Sequence, residues 1–292
     1  MTTPLIHTEG RVLAAIDRST YTESVARHAG WAAARLGAPL ELLHVLDRHP
    51  EAAPVADYSG NLELGEQERL LSELAQLDER RSALAQEQGR LLLQEAKGFA
   101  ADLGAAGVDA RQRHGGLVDT LTGQEPGVRL FVLGKRGEHA DFARGHLGGN
   151  LERVVRAVHR PLLVASRAFR PIRRVLVAFD GSATTRKGIE MIAASPLFRG
   201  LEVRILMAGK DGETPRSQLH WAKDVLAVAG FEVAASLRDG QPDGAIADAV
   251  REEGIDLLVM GAYGHSRIRQ LIVGSTTTTM LRTCPIPVLL LR

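Results

Sequence analysis

Cysteine and aromatic residues are scarce in this chain. Cys284 is the single cysteine among 292 residues, which excludes a disulfide framework and a cysteine-based zinc site. Aromatic residues make up 4% of the chain and apolar residues 45%, so the core must be mainly aliphatic. Because Cys284 stands beside Pro285, just before a predicted buried strand, we expect a packed thiol and not a nucleophile.

An excess of charge and a long apolar run are also lacking. The 36 Lys and Arg residues nearly cancel the 35 Asp and Glu residues, which leaves a formal net charge of +1. This balance argues against nucleic acid or an anionic membrane as the main partner. No stretch reaches the ~18 apolar residues that span a bilayer, and the beginning lacks the pattern of a signal peptide. The composition therefore predicts a soluble cytoplasmic protein.

The second half of the chain repeats the first. The run Arg11–Asp17 matches Arg174–Asp180, and the run Pro161–Val164 matches Pro287–Leu290, in the same order. Landmarks that recur over such a distance indicate a duplicated domain and not a short solenoid repeat. Charged residues and proline interrupt the apolar pattern between the two copies. The predicted domains are residues 1–168 and 169–292.

Each half has the pattern of strands alternating with helices. Continuous apolar runs are typical of strands that are covered on both faces, and Gly or Pro follows several helical segments. This alternation predicts parallel strand pairing and an α/β fold. In the second half the predicted strands are Arg174–Phe179, Leu201–Ala208, Phe231–Leu237, Asp256–Met260 and Val288–Leu291. The predicted helices there are Thr184–Ala194, Pro215–Gly230, Asp243–Glu253 and Ser275–Arg282.

The first half carries one addition, a helical insertion over residues 64–104. Leucine recurs in it every seven residues, a spacing that fits a coiled-coil seam against a partner. The same spacing fits an amphipathic helix that packs on its own sheet. Polar residues three positions after the leucines interrupt an apolar seam and favour packing on the sheet. The repeating leucines are Leu70, Leu77, Leu84 and Leu91, with Leu74 on the adjacent ridge.

A glycine motif near the end of the chain carries the strongest functional signal. Gly261 and Gly264 follow a predicted strand, and Gly274 and Ser275 come after nine further residues, where a helix begins. Glycines let the backbone approach an anion closely, and the N–H groups at a helix start favour phosphate. Ligands of open α/β sheets bind beyond the carboxyl ends of strands, where Asp180 also lies. The alternative is that these glycines only form turns and that Ser275 only caps a helix.

With this motif, with Asp180 after a strand and with the ending Cys284–Val288, the chain resembles the universal stress protein family, as a tandem two-domain member. The resemblance covers both halves. It implies two Rossmann-like (HUP-type) α/β sandwiches, each with a five-stranded parallel sheet. It also implies that the two domains pair through their last strands, Leu162–Ala165 and Val288–Leu291. Adenine-nucleotide binding is implied where the glycine motif is intact.

The resemblance therefore implies an ATP site in the second half. Ser275 could donate its hydroxyl to a phosphate oxygen, and Asp180 could accept from the ribose or the adenine. Leu206 stands where the family places an apolar residue beside the adenine. The phosphate charge predicts Mg²⁺ or Mn²⁺ carried by the nucleotide, with no protein metal site. His265 is either a phosphate contact or a solvated loop residue. The expected site residues are Asp180, Leu206, Met260, Gly261, Gly264, His265, Gly274, Ser275 and Thr276.

The first half departs from the motif. Ten residues separate Gly137 from Gly148, and Gly149 stands where the second half has a hydroxyl side chain. A longer loop would displace the phosphate cradle, whereas basic loop residues such as Lys135 could reach an anion directly. The weaker site that the resemblance implies here comprises Asp17, Val45, Gly134, Gly137, Gly148 and Gly149.

The sequence thus predicts a nucleotide-responsive module for stress response and signalling, in which ATP orders the loop over residues 261–275. No G-x-x-x-x-G-K-[ST] and no G-x-S-x-G segment occurs. Because Asp180 and His265 are the only evident candidates for a general base, we expect slow ATP hydrolysis at most. Two alternatives stay open, a scaffold that recruits a partner without nucleotide and a carrier of a small metabolite. A homodimer is also compatible with the sequence.

Overall fold

A single ten-stranded sheet with helices on both faces organises the chain in the computed structural model, which describes residues 9–46, 64–138, 148–262 and 274–291. The elements of the first half are β1 (Arg11–Ala15), α1 (Thr22–Leu36), β2 (Leu40–Leu46), α2 (Leu64–Ala101), β3 (Val108–His114), α3 (Leu117–Gln124), β4 (Val128–Gly134), α4 (Gly149–Ala157) and β5 (Leu162–Ala165). The elements of the second half are β6 (Arg174–Ala178), α5 (Ala183–Ala194), β7 (Glu202–Ala208), α6 (Glu213–Val228), β8 (Val233–Arg238), α7 (Pro242–Glu252), β9 (Leu257–Gly261), α8 (Ser275–Thr283) and β10 (Val288–Leu291).

The strand order is β3-β2-β1-β4-β5-β10-β9-β6-β7-β8. The strand pairs within each half are parallel, whereas β5 and β10 pair antiparallel at the centre, with Leu163 opposite Leu289. The expected α/β class and the pairing of the two last strands are confirmed. Because each half covers the other's last strand, the junction removes two exposed sheet edges.

Local sequence signals account for the element bounds in the second half, which lie within two residues of the predicted ones. Ser182 begins α5 by accepting a hydrogen bond from the Thr185 amide (3.3 Å), as a serine N-cap does. Gly230, at φ 87°, follows α6 in a left-handed conformation that other residues rarely adopt. In the first half Gly37, at φ 58°, ends α1 in the same way.

The hydrophobic core is continuous across the junction between the halves on both faces of the sheet. Helices α1, α2, α5 and α6 cover one face, and α3, α4, α7 and α8 cover the other. The side chains are mostly aliphatic, as the composition predicts. Representative buried residues are Val25, Leu93, Ile189 and Leu226 on the first face and Leu121, Val154, Ile246 and Leu281 on the second.

Polar contacts also connect the halves. Arg35, in the last turn of α1, donates from Nε to the Leu197 carbonyl (2.6 Å) in a short 3-10 turn of the second half. Ser24 donates from Oγ to the Ser166 carbonyl (2.7 Å), in the segment that joins the halves. The two halves therefore pack through main-chain carbonyls as well as through the strand pair.

Helix α2 packs on the first half only through its final third. Gly89, Leu93, Ala96 and Ala100 are buried, whereas every residue from 69 to 84 is exposed. The regularly spaced leucines, together with Leu74, are between 42% and 63% exposed. The expectation that these leucines face the chain's own sheet is therefore wrong. Within the described parts of the chain no helix is both long and apolar enough to cross a membrane.

Candidate functional site

The carboxyl ends of β6 and β9 form the candidate site of the second half. Strand β6 pairs with β7 on one side and with β9 on the other, so the connections leave β6 and β9 in opposite directions. Such a switch point leaves a crevice beyond the strand ends, where ligands of open α/β sheets bind. Gly261 ends β9, and Asp180 comes shortly after the end of β6, so the structure places both residues at this crevice.

Helix α8 begins beside the same crevice. Its N-cap residue, Gly274, has no side chain that could cap the first turn, and that turn contains no acidic residue. The first amides of an α-helix have no acceptor within the helix. Together with the helix dipole they favour an anion, and Ser275 adds an exposed hydroxyl at the first helical position. The start of α8 therefore has the chemistry of a phosphate site.

Two hydrogen bonds fix the start of α8 against the end of β9. The buried hydroxyl of Thr277 donates to the Gly261 carbonyl (3.0 Å), and the Gly274 amide donates to the Ala262 carbonyl (3.4 Å). The sequence analysis missed Thr277. Its signal is helical spacing, because Thr277 is buried on the same face as Met280 and Leu281.

Asp180 is held at the mouth of the crevice by its own turn. Its Oδ1 accepts from the Ser182 amide (2.9 Å) and from the Thr185 hydroxyl (2.7 Å), while the residue remains exposed. A carboxylate can accept about four hydrogen bonds, and these two contacts orient it at the strand end. The role of Asp180 as an acceptor for a ribose or adenine donor stays a prediction.

Strand register places Ala208, and not Leu206, at the position equivalent to Val45. The Leu206 carbonyl accepts from the Phe179 amide (2.9 Å), as the Leu43 carbonyl accepts from the Ile16 amide (2.8 Å). Leu206 thus matches Leu43, two residues inside the strand, and its side chain is buried in the core. Ala208 ends β7 and is half-buried. The predicted residues Val45 and Leu206 are therefore not equivalent, and the second-half counterpart of Val45 is Ala208.

The structure places the remaining predicted residues of the second half in different environments. Thr276 is half-buried in the first turn of α8, so it stands with Ser275 at the crevice. The Met260 side chain is only 5% exposed and contributes to the core, so only its main chain can line the site. Gly264 and His265 lie outside the described residues.

The first half has the same framework at the ends of β1 and β4. The Gly148 amide donates to the Lys135 carbonyl (3.4 Å), which matches the bond from Gly274 to Ala262 in the second half. Helix α4 therefore starts where α8 does, and the expected displacement of the cradle by the longer loop is not seen at this anchor. Gly149 provides no hydroxyl at the place of Ser275, and the first turn of α4 contains the acidic Glu152, which opposes an anion.

Neighbouring side chains leave little room for a Cβ atom at two glycines of the first half. A Cβ atom at Gly134 would lie 2.9 Å from the Tyr21 Cβ, and one at Gly137 would lie 3.0 Å from the Asp17 Oδ2. The Asp17 Oδ2 also accepts from the Glu138 amide (3.3 Å). Gly137 and Glu138 therefore lie against the carboxylate that was expected to meet a ligand. Val45 lies half-buried near the end of β2.

Lys135 points away from the first-half site. Its Nζ donates to the carbonyl of Cys284 and to that of Ile286 (3.4 Å), in the turn before β10. Burial lowers the pKa of Lys135, and burial likewise raises the pKa of the Cys284 thiol. Lys135 therefore does not serve an anion in its own half, and the protonated Cys284 thiol is packed, as expected.

No cluster of three or more His, Cys, Asp or Glu side chains suited to a metal ion occurs among the residues that the structure describes. An adenine nucleotide has its own affinity for divalent cations through its phosphates. The polar groups at the second-half crevice are main-chain amides, a hydroxyl and one carboxylate. This set suits a nucleotide better than a cation held by the protein alone.

Comparisons with known proteins agree with this architecture. The model of the universal stress protein family matches residues 9–166 and again residues 171–292. Universal stress protein Slr1230 of Synechocystis sp. is 38% identical over 284 residues, which cover 96% of this chain and 99% of that protein. A universal stress protein from Archaeoglobus fulgidus has a similar crystal structure, with a TM-score of 0.63, 20% identity and coverage of 96% and 97% of the two chains. A putative universal stress protein from Pseudomonas aeruginosa gives a TM-score of 0.62 at 17% identity, with coverage of 97% and 94%.

Proposed function

Because the chain belongs to the universal stress protein family, we propose that its second half binds an adenine nucleotide, ATP, as a cytoplasmic stress-response module. The observation that carries this proposal is the start of α8. Its N-cap residue is a glycine without a capping side chain, its first turn contains no acidic residue, and it lies beside Gly261 at a switch point of the sheet. Such a helix start is a ready anion site.

Each residue has a role that follows from its place. The amides at the start of α8 and the Ser275 hydroxyl would donate to the phosphates, and Gly274, without a Cβ, would let them approach closely. Asp180 would accept from a ribose hydroxyl, and Ala208 would leave room for the base beside β7. The Thr277 bond to Gly261 (3.0 Å) would hold the two sides of the cradle together.

A divalent cation would be carried by the phosphates of the nucleotide. Mg²⁺ or Mn²⁺ would neutralise phosphate charge that the short hydroxyl and amide donors of α8 leave uncompensated. The chain's own contribution is the orientation of the phosphates at the helix start and the placement of the Asp180 carboxylate.

We further propose that only the second half binds nucleotide. In the first half Gly149 supplies no hydroxyl at the place of Ser275. Glu152 adds negative charge to the first turn of α4. A stoichiometry of one nucleotide per chain follows from this asymmetry.

Calorimetric titration of the full chain with Mg-ATP tests the site through matched variants. Ser275→Ala removes a hydroxyl donor to a charged phosphate and should weaken binding by roughly 5- to 30-fold. Gly274 has φ −56°, which any residue can adopt, so Gly274→Val tests the close approach of the ligand and not backbone strain. We expect Gly274→Val to abolish the heat of binding.

The equivalent position of the first half supplies the control. Gly149→Ala places the same side chain at the start of α4, where nothing lies within 4 Å of the new Cβ, and should leave the affinity unchanged. Two nucleotides per chain would contradict the asymmetry. Absence of saturable binding, with ATP, ADP or cyclic AMP, would refute nucleotide binding altogether.

Hydrolysis is expected to be slow, because Asp180 is the only described candidate for a base and is engaged by its own turn. Phosphate release under single-turnover conditions measures this property. Gly261→Val, which obstructs the cradle, gives the background rate. Turnover above about 1 per second would instead indicate a dedicated enzyme.

A further inference from the structure

Five leucines form an exposed stripe along the outer face of α2, four of them in the part that projects beyond the first half. We define the α2 stripe as Leu70, Leu74, Leu77, Leu84 and Leu91. Each of these side chains is at least 42% exposed. Contiguous exposed leucine of this kind marks an interaction surface.

The stripe faces away from the sheet that α2 packs on. At about 100° per residue, its leucines fall within an arc of about 100°, and it drifts by about 20° with each seven residues. The residues that pack on the first half, Gly89, Leu93, Ala96 and Ala100, lie on a different arc of the same helix. A seven-residue stripe with this drift becomes straight when two helices supercoil in the left-handed sense.

The stripe follows coiled-coil heptads. With leucine at the d positions, Leu74 and Arg81 occupy successive a positions, and Glu73 and Arg80 occupy successive g positions. The polar residues three places after the leucines therefore flank the seam and do not interrupt it. One charged a position, Arg81, lowers stability but restricts the register in which two helices can pair.

We propose that α2 pairs with α2 of a second copy of this chain as an antiparallel coiled coil. In a parallel pair, Glu73 would face the partner's Asp78, which is repulsive. In the antiparallel pair centred on Leu74 and Leu77, Glu73 faces the partner's Arg80, and this attractive pair occurs twice. Leu74 then packs on the partner's Leu77, also twice, and these four leucines form the central layers.

The length of the exposed helix agrees independently with this register. Pairing of Leu74 with the partner's Leu77 brings the start of α2, Leu64, opposite the partner's Glu87. The free part of α2 ends there, because the Gln86 carbonyl accepts from Gln112 of β3 (2.8 Å) and Gly89 is buried against the sheet. Each helix therefore fits the other's free length, and the two globular bodies lie at opposite ends of the coil.

Sedimentation equilibrium of the full chain tests this pairing. Leu74→Glu combined with Leu77→Glu places four carboxylates in the central layers and should raise the dimer dissociation constant by about 100-fold or more. Ala75→Glu combined with Ser82→Glu adds the same charge on another face of the helix and should leave the constant within about 3-fold. Because all four positions are exposed, thermal unfolding at concentrations where the wild type is monomeric should be unchanged for both variants, which separates dimerisation from folding.

Charge reversal tests the orientation. Glu73→Arg alone should weaken the antiparallel dimer by roughly 10-fold, because it places arginine opposite arginine, and adding Arg80→Glu should restore the wild-type constant. A tighter dimer for Glu73→Arg alone would indicate parallel helices and overturn the proposed pairing. A chain that stays monomeric at about 100 μM, or a dimer unaffected by the two Leu→Glu changes, would overturn the proposal itself.

Discussion

Lys135 of the first half donates from its buried ammonium to the carbonyl of Cys284, which ends α8 in the second half. The equivalent position in the second half is Ala262, since the Lys135 and Ala262 carbonyls accept from Gly148 and Gly274 respectively. The contact between a glycine loop and the opposite half therefore occurs at one of two equivalent places. It connects the end of β4 to the helix whose other end is the proposed phosphate site.

Lys135→Met should lower the free energy of unfolding by about 1–3 kcal/mol, because the carbonyls of Cys284 and Ile286 lose a charged donor while the apolar stem is retained. Urea unfolding followed by circular dichroism measures this loss. Lys187→Met makes the same chemical change at an exposed position of α5 and should have little effect. Equal losses in the two variants would show that the contact does not stabilise the protein.

Gly30, on the contact between α1 and α2, and Gly98, on the exposed side of α2, should respond oppositely to alanine. A Cβ at Gly30 would lie 2.4 Å from the Ala100 carbonyl oxygen, so Gly30→Ala must separate the helices and should cost about 1–3 kcal/mol. Nothing lies within 4 Å of a Cβ at Gly98, so Gly98→Ala should stabilise α2 by about 0.5–1 kcal/mol. Thermal unfolding of the two variants measures both signs. A stabilising Gly30→Ala would mean that α2 packs differently.

Acid should destabilise the protein through His28. Burial lowers the pKa of His28 to about 4, and its Nδ1 bonds to the Ser24 carbonyl (2.7 Å), an interaction that opposes this shift. The unfolded chain, with a histidine pKa of about 6.5, binds the proton more tightly. Stability from this residue is therefore complete above pH 6.5 and is lost as the pH falls towards 4, by roughly 3 kcal/mol in total.

His28→Gln isolates that contribution, because glutamine does not titrate. Urea unfolding at pH 7 and pH 4.5 should show a smaller difference in the variant than in the wild type, even if the variant is less stable at pH 7. His220→Gln removes an exposed histidine of α6 and should keep the wild-type difference. If His28→Gln also keeps it, His28 does not cause the acid sensitivity.

Periodicity and the internal repeat were sufficient to predict the class of fold and the second half's elements, because buried parallel strands such as β6 are continuous apolar runs. Whether the leucines of α2 face the sheet or solvent was harder to predict. A leucine every seven residues is required equally by a coiled-coil seam and by a helix on a sheet. Only the length of α2 beyond the sheet edge, set by the packing of Gly89, leaves Leu77 and Leu84 exposed.

At the candidate site, the motif was sufficient to place Gly261 and Asp180 near strand ends and Gly274 at a helix start, because these positions follow from the order of the elements. Leu206 and Val45 were predicted as counterparts but differ by two residues in register, since alternation along an apolar strand does not reveal where the strand stops pairing. Lys135 could not be placed from its neighbours. A lysine in a glycine loop could equally bind an anion, and its actual contact with the Cys284 carbonyl depends on how the two halves pack together.

The antiparallel join of β5 and β10 has a consequence for how this protein can evolve. Two identical subunits joined in the same way would carry every amino-acid replacement twice, once on each side of the symmetry axis. One continuous chain removes that restriction, so a change harmful to one copy can persist in the other. Lys135 opposite Ala262 and Gly149 opposite Ser275 are the marks of such divergence, because the first pair adds a contact between the halves on one side only and the second keeps a hydroxyl on one side only.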